Sequence, residues 1–394
     1  MSGQGTLTFA GVPEALEEIR AGRPVIVVKN EGRPAADGLP EYVVAAAALA
    51  TPEVVNRITS LGRGMLFLGL TPDRCDELEL REVPHDEDEG RWQRKLLSSF
   101  DARGISGNGI SAANRARAIS VAIDPAARPD QLTHPGYVWP LRTEEGGVLV
   151  RAGQTEAAVD LARLAGLFPA AVMSELLDEA GDVADAGAIA AISREHDVRC
   201  VTIAELVAYR RTTERLLDRV ASARLPTARG DFEAIGFRDA VSGVHHLGLG
   251  KGELSGAEDL LVAVQRECLV GAAFRSTRCD CGERLYEAMD RVEQEGRGIV
   301  LNLSQDRQST GAGPLLASCR EYEVRPPPPA TGIDSPPPPW AEVDIAGQVL
   351  TGLGVRGVRL LTTLPMADDR LREHGIRVRE RLAYATTGGR ARRS

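Results

Sequence analysis

Apolar residues recur at helical spacing near the start of the chain and then in short unbroken runs, a pattern that predicts helices alternating with buried strands. From Val12 to Ala21, Leu16 and Ile19 fall on one helical face, while Glu14, Glu17, Glu18 and Arg20 fall largely elsewhere, as in an amphipathic helix. Gly22 and Pro24 end it, and the run Pro24-Val-Ile-Val-Val28 is apolar enough for a strand covered on both faces. A second helix is predicted over Pro52 to Leu61 and a second strand over Gly64 to Leu70. The charge run His85-Asp-Glu-Asp-Glu-Gly90 reads as a solvated surface segment. Three later segments, Gly107 to Arg115, His134 to Arg142 and Gly146 to Ala157, pair glycines with polar or cationic side chains. That combination suits tight anion-binding turns.

Length and composition narrow the class. A chain of 394 residues exceeds what one core usually holds, so two domains are expected. A hydrophobic share of 43% with 26% charged residues is that of an ordinary globular protein. The net charge of −9 gives no field that attracts nucleic acid or an anionic membrane, so phosphate ligands need local basic pockets. The N-terminus carries no basic-then-apolar signal, and no apolar run reaches the roughly twenty residues that span a bilayer. A reducing, cytoplasmic setting suits the six cysteines better than a disulfide framework.

Half of those cysteines fall in one place. Cys268, Cys279 and Cys281 lie within fourteen residues in the run ECLVGAAFRSTRCDCGE, from Glu267 to Glu283. The C-x10-C-x-C spacing brings a strand-borne thiolate against two more on a tight turn. Three protein ligands with the fourth corner left to water is the pattern of a catalytic zinc. Three reduced cysteines in a core are the alternative.

The same run resembles the zinc site of GTP cyclohydrolase II, in E-C-L-x-G followed by R-C-D-C-G, and the similarity continues through EQEGRGIV (Glu293 to Val300) and LGVRGVRLLTT (Leu353 to Thr363). It spans roughly residues 221 to 385. The three glycine-containing segments resemble 3,4-dihydroxy-2-butanone 4-phosphate synthase over about residues 10 to 212. Two such halves in this order resemble the fused bifunctional riboflavin enzyme. The resemblance implies an α+β fold, with two α/β-type domains at 1–213 and 221–394, joined through a charged helical stretch from Glu214 to Ala223. It also implies a homodimer, Zn2+ on Cys268, Cys279 and Cys281, and GTP or a related purine nucleotide as ligand. Arg266 and Gln305 are candidates for substrate binding there, and Glu267 for catalysis. In the synthase half the resemblance carries Glu175 over as a catalytic acid, and Arg33 and Thr155 as substrate contacts.

Both halves depart from their families. The synthase holds magnesium on a Glu and a His, whereas this chain has Pro34 and Gln154 at those positions; Ala35 and Ala36 follow, and Tyr137 and Phe67 stand at a histidine and at a catalytic loop cysteine. Neither Pro nor Gln replaces those ligands around a hard cation, so Mg2+ is the weaker cofactor expectation and synthase activity is expected to be lost. In the second half Ala263 replaces an Arg, with Arg266 predicted on the opposite strand face. Asp306 keeps an acid, Arg307 comes one position early, and Met366 stands where a Lys is usual. The general-base Asp and nucleophilic Arg positions fall on Pro339 and Ala341, at the end of a stretch with eight prolines in the fifteen residues 326–340. That stretch reads as a surface loop or as a ligand for a proline-recognising partner. Purine ring opening is therefore expected to separate from pyrophosphate release, with two alternatives: a non-catalytic partner or regulator of riboflavin enzymes, and a working GTP cyclohydrolase II in riboflavin synthesis.

Overall fold

The computed structural model describes residues 7–29, 40–83, 95–105, 107–276, 279–304, 341–364 and 367–385. The charged loop around His85 to Gly90, Arg33, Pro34, Ala35, Ala36, Gln305, Asp306, Arg307, the proline stretch and Met366 lie outside these residues, as does the side chain of Ala341. The chain divides into two compact units, Met1–Arg210 and Arg211–Ser394.

In the first unit the helices are α1 (Val12–Arg20), α2 (Pro52–Gly62), α3 (Pro72–Glu77), α4 (Ala112–Ala122), α5 (Gln154–Leu164), α6 (Ala186–His196) and, at its end, α7 (Ile203–Thr213). The strands are β1 (Val25–Val28), β2 (Tyr42–Ala46), β3 (Arg63–Leu70), β4 (Phe100–Ala102), β5 (Leu132–Arg142), β6 (Ala170–Leu176) and β7 (Arg199–Thr202). They form one mixed sheet in the order β4-β5-β3-β6-β2-β1-β7. The expected first helix and first two strand runs stand where the hydrophobic pattern puts them. Thr51 caps α2 by accepting from Val54 N, and Pro52 follows at a position where a missing N–H costs nothing.

Strand alternation decides which helix each face receives. Val43 and Ala45, Leu66, Leu68 and Leu70, and Ala170 and Val172 meet Val55 and Ile58 of α2, and Ala118, Ile119 and Ala122 of α4, in one core. Each fully buried Leu or Ile contributes about 1.5–3 kcal/mol relative to an exposed one. The opposite face carries α5, whose Val159 and Thr155 lie against Gly69 of β3.

The second unit has strands β8 (Leu217–Thr227), β9 (Gly230–Asp239), β10 (His245–Lys251), β11 (Leu260–Arg266), β12 (Gly298–Leu303), β13 (Gly357–Leu361) and β14 (Arg377–Leu382) in the order β14-β13-β11-β12-β10-β9-β8. Its helices are α8 (Leu269–Ala272), α9 (Cys281–Glu295), α10 (Ala341–Gly352) and α11 (Ala367–Glu373). Val262 and Val264 face Val343, Ala346 and Val349 of α10, while Leu261 and Ala263 face Ala288, Met289 and Val292 of α9. The sheet thus lies between helices in both units, as expected for α/β-type domains.

One expected element changes type. The stretch from Glu214 to Ala223 is not a helical connector: from Leu217 onward it is the edge strand β8, paired antiparallel with β9 from Leu217↔Asp239 to Thr227↔Gly230. Its charges suit an edge strand that is exposed along most of its length, and the helix before it stops at Thr213.

Candidate functional site

Cys268 is not on the strand. β11 ends at Arg266, Glu267 N donates to Leu303 O at 2.9 Å, and the chain then turns into α8. Cys268 is the N-cap of that turn: its sulfur accepts from Gly271 N at 3.3 Å, and its carbonyl from Ala272 N at 2.8 Å. Cys281 is the first residue of α9, with Asp280 as N-cap and Cys279 just before it. The three sulfurs lie within 4.8 Å of one another, with Cys268 and Cys279 3.8 Å apart. A tetrahedral zinc with Zn–S near 2.3 Å places its sulfurs roughly 3.8 Å apart, so Cys268 and Cys279 already stand at that spacing and the third thiol lies within 4.8 Å of both.

Two features shape this nest. A Cβ on Gly271 would stand 2.7 Å from the Cys279 sulfur and 3.3 Å from that of Cys268, so only glycine leaves room for the sulfurs. Burial, then the adjacent Cys268 and Cys279, pushes the Cys281 thiol up to about 12. Three thiolates at this separation repel one another, and a soft divalent cation reverses that balance. The donor set fits zinc. Gly271→Ala is expected to lower zinc content and affinity by about tenfold or more, the scale on which perturbed ligand support acts; titration against a chromophoric chelator measures it, and an unchanged affinity would show that the sulfurs relax freely.

Around the thiols, Arg284 donates to Thr363 Oγ1 at 2.7 Å and to the Cys281 sulfur at 3.5 Å, and pairs with Asp280 at 2.8 Å. Glu267 stands exposed one residue before Cys268. Arg266 follows the alternation of β11 to the α10 face, opposite Ala263, where it bonds Glu342 at 3.0 Å. Arg284 and Gly271 were not singled out from the sequence. The spacing of Arg284, i+3 from Cys281 and i+4 from Asp280 at a helix start, is the signal that finds it.

In the first unit, Phe67 lies within strand β3 rather than in a loop; it is buried, with its ring edge-on to Tyr42 at 6.1 Å. Tyr42 donates to Glu175 Oε1 at 3.2 Å, so Glu175, on the α5 face of β6 by alternation with Ala171 and Met173, is held at the sheet end. Thr155 and Gln154 open α5 on that same face. The Gln154 amide donates to Pro40 O at 3.0 Å and to the carboxylate of buried Glu41, which also accepts from Lys29 N at 3.0 Å. Glu41 was not foreseen, for no motif surrounds it. Two of the three predicted turns do meet: Tyr137 N donates to Asp101 Oδ1 at 3.0 Å, and Gly109 packs against the same carboxylate. Gly136 passes so close that a Cβ there would lie 2.0 Å from the carbonyl carbon of Phe100. In the third turn, buried Asp160 accepts from Val148 N at 2.8 Å and from Arg210 at 2.7 Å. Burial raises the Glu156 carboxyl above the ordinary range, against the pull of Arg151.

A sheet layered with helices in each unit and a triad of thiols close enough to share one metal ion in the second define a two-part protein of α/β-type domains. The family model for 3,4-dihydroxy-2-butanone 4-phosphate synthase matches residues 13–209, and that for GTP cyclohydrolase II matches residues 218–383. A riboflavin biosynthesis protein RibBA of Salinispora tropica is 42% identical over 384 residues, covering 95% of this chain and 93% of its own. The RibBA of Aquifex aeolicus is 38% identical over 392 residues, covering 97% and 94%. The crystal structure of RibBX, a two domain 3,4-dihydroxy-2-butanone 4-phosphate synthase from A. baumannii, superposes with a TM-score of 0.70 at 30% identity, over 94% of this chain and 99% of that one. The chain belongs to the bifunctional riboflavin biosynthesis protein family, the fusion of a 3,4-dihydroxy-2-butanone 4-phosphate synthase half with a GTP cyclohydrolase II half. Among the described residues no helix is long and apolar enough to cross a membrane.

Proposed function

We propose that the C-terminal half is a zinc-dependent hydrolase that opens the imidazole ring of GTP or a closely related purine nucleotide. The observation that carries this is the triad of Cys268, Cys279 and Cys281 at zinc-ligand spacing. When bound, zinc supplies a Lewis acid that activates water at neutral pH. Glu267, exposed beside Cys268, is the group we assign to proton transfer; Arg266 and Gln305 remain the candidates for phosphate contact. The halves are taken as 1–213 and 221–394, acting as a homodimer in the cytoplasm without nucleic acid or membrane partners.

The N-terminal half is proposed to have lost the metal-dependent rearrangement of ribulose 5-phosphate. Gln154, at the position of a metal-ligating histidine, spends its amide on Pro40 and Glu41, and Pro34 has no side-chain donor atom. Without a cation the developing enediolate charge has no partner, a loss of several kcal/mol in the transition state. The RibBA relatives support a second reading, in which both halves work in riboflavin synthesis.

Incubating zinc-loaded protein with GTP and magnesium separates these readings. Formate and an opened-ring product that retains its triphosphate are expected. Stoichiometric pyrophosphate as well would restore the complete cyclohydrolase reaction. Neither product from zinc-loaded protein would sink the hydrolase reading and leave a non-catalytic partner of riboflavin enzymes. With ribulose 5-phosphate, no formate is expected with or without magnesium; metal-dependent formate release would overturn the loss assigned to the first half. Pro34→Glu combined with Gln154→His should raise magnesium binding there.

A further inference from the structure

Arg284 is placed by helix geometry rather than by any motif. It lies on α9, three residues after Cys281 and four after Asp280, so its side chain shares the face that carries the first turn of the helix. The guanidinium then reaches three groups at once: Thr363 Oγ1 at 2.7 Å through Nη1, and Asp280 Oδ1 at 2.8 Å and the Cys281 sulfur at 3.5 Å through Nη2. Thr363 follows the end of β13, so one planar cation joins the last thiol ligand to a strand 79 residues away in the chain.

We propose that Arg284 is a positioning residue of the metal site, fixing the Cys281 sulfur against its neighbours and drawing electron density from it. This rests on the zinc reading above. A cysteine side chain has three staggered rotamers, of which only one directs its sulfur at the ion. An N–H donor anchored at two other points selects that rotamer before the ion arrives, and such outer support is worth about 10–100-fold in metal affinity. The side chain is only 21% exposed, so little water competes for these contacts. The planar fork of arginine suits this task. A lysine ammonium, as a point charge on a flexible stem, keeps Asp280 but cannot also span Thr363 and the sulfur. Donation to sulfur lowers the energy of its lone pairs, which changes the light absorption of a cobalt-substituted site even where folding is untouched.

The test uses the full-length protein, with zinc affinity read by chelator competition and the sulfur-to-metal charge-transfer band read after cobalt substitution. Arg284→Met is expected to weaken zinc by about 10–100-fold and to move the cobalt band to longer wavelength. Arg284→Lys is expected to fall between Met and parent in both readouts. Thr363→Val, at an exposed position, cuts the far anchor and is expected to give a smaller loss in the same direction. Parent affinity and an unchanged cobalt band in Arg284→Met would overturn the proposal and leave Arg284 as an ion-pair partner of Asp280. If Arg284→Met does not fold, Arg284→Lys and Thr363→Val decide by the same two readouts. A parent protein that binds no zinc fails the zinc reading itself; a parent that binds zinc beside an indifferent Arg284→Met fails only this inference.

Discussion

Serine at both Cys279 and Cys281 is expected to strip the protein of zinc, from about one ion per chain to background, with three-ligand coordination as the premise. A serine hydroxyl stays protonated at neutral pH and is a hard, weak donor, so the exchange removes two of three soft anionic ligands rather than lengthening two bonds. Structural zinc sites reach apparent binding energies of about 10–16 kcal/mol, and a single remaining thiol retains little of that. The fold should survive: the cores of the second unit are built from residues such as Val262, Val264, Val300, Ala346 and Met289, none of them a cysteine. The expected result is a folded protein with no zinc and no formate from GTP, checked by metal analysis beside circular dichroism. Zinc retained by the double variant would mean that the ion sits elsewhere.

How much of this site could be read from the sequence differs by residue. The thiol triad was legible because its chemistry is local: fourteen consecutive residues hold all three ligands. The face of Arg266 was legible too, since strand parity alone separates it from Ala263. The strand placement of Cys268 was not, because the last pairing of β11 falls at Arg266↔Leu303 and nothing in the sequence marks that end. Residues 214–223 read as helical because their charges resemble an exposed helix face. The edge strand β8 is exposed along most of its length in the same way, and only pairing with β9 distinguishes the two. Gln154 was recognised as a departure from its family, but its partner Glu41 lies 113 residues earlier and belongs to no motif. Long-range polar pairs of this kind carry no periodic signal, and a buried network of them lies in the second unit around Asp344.

Asp344→Ala is expected to destabilise that unit by about 3–5 kcal/mol, the range for removing one member of a buried charge network. The Asp344 carboxylate is 2% exposed and accepts from Arg370 at 3.0 and 2.6 Å, with Arg211 at 3.6 Å and His374 at 3.4 Å. Burial alone would raise its pKa; the hydrogen bonds from His374 and Arg370 and the charges of Arg370 and Arg211 outweigh it and hold the carboxyl below its ordinary value. Alanine removes the buried carboxylate that these side chains surround, so the cost comes chiefly from the desolvation of Arg211 and Arg370 that it no longer offsets. At about 2–4 °C per kcal/mol, the transition of this unit should fall by roughly 10 °C. The same depressed pKa sets a pH signature. Stability contributed by Asp344 is fully present above the unfolded carboxylate value of about 3.9 and is lost as pH falls through the lower folded value. The parent should therefore lose stability on acidification over a window that the alanine variant no longer shows. Asp344→Leu combined with Arg370→Met, which removes a matched pair of charges, should recover part of the loss. Thermal unfolding of the three proteins across that acid range checks the argument, and an alanine variant as stable as the parent at neutral pH would refute it.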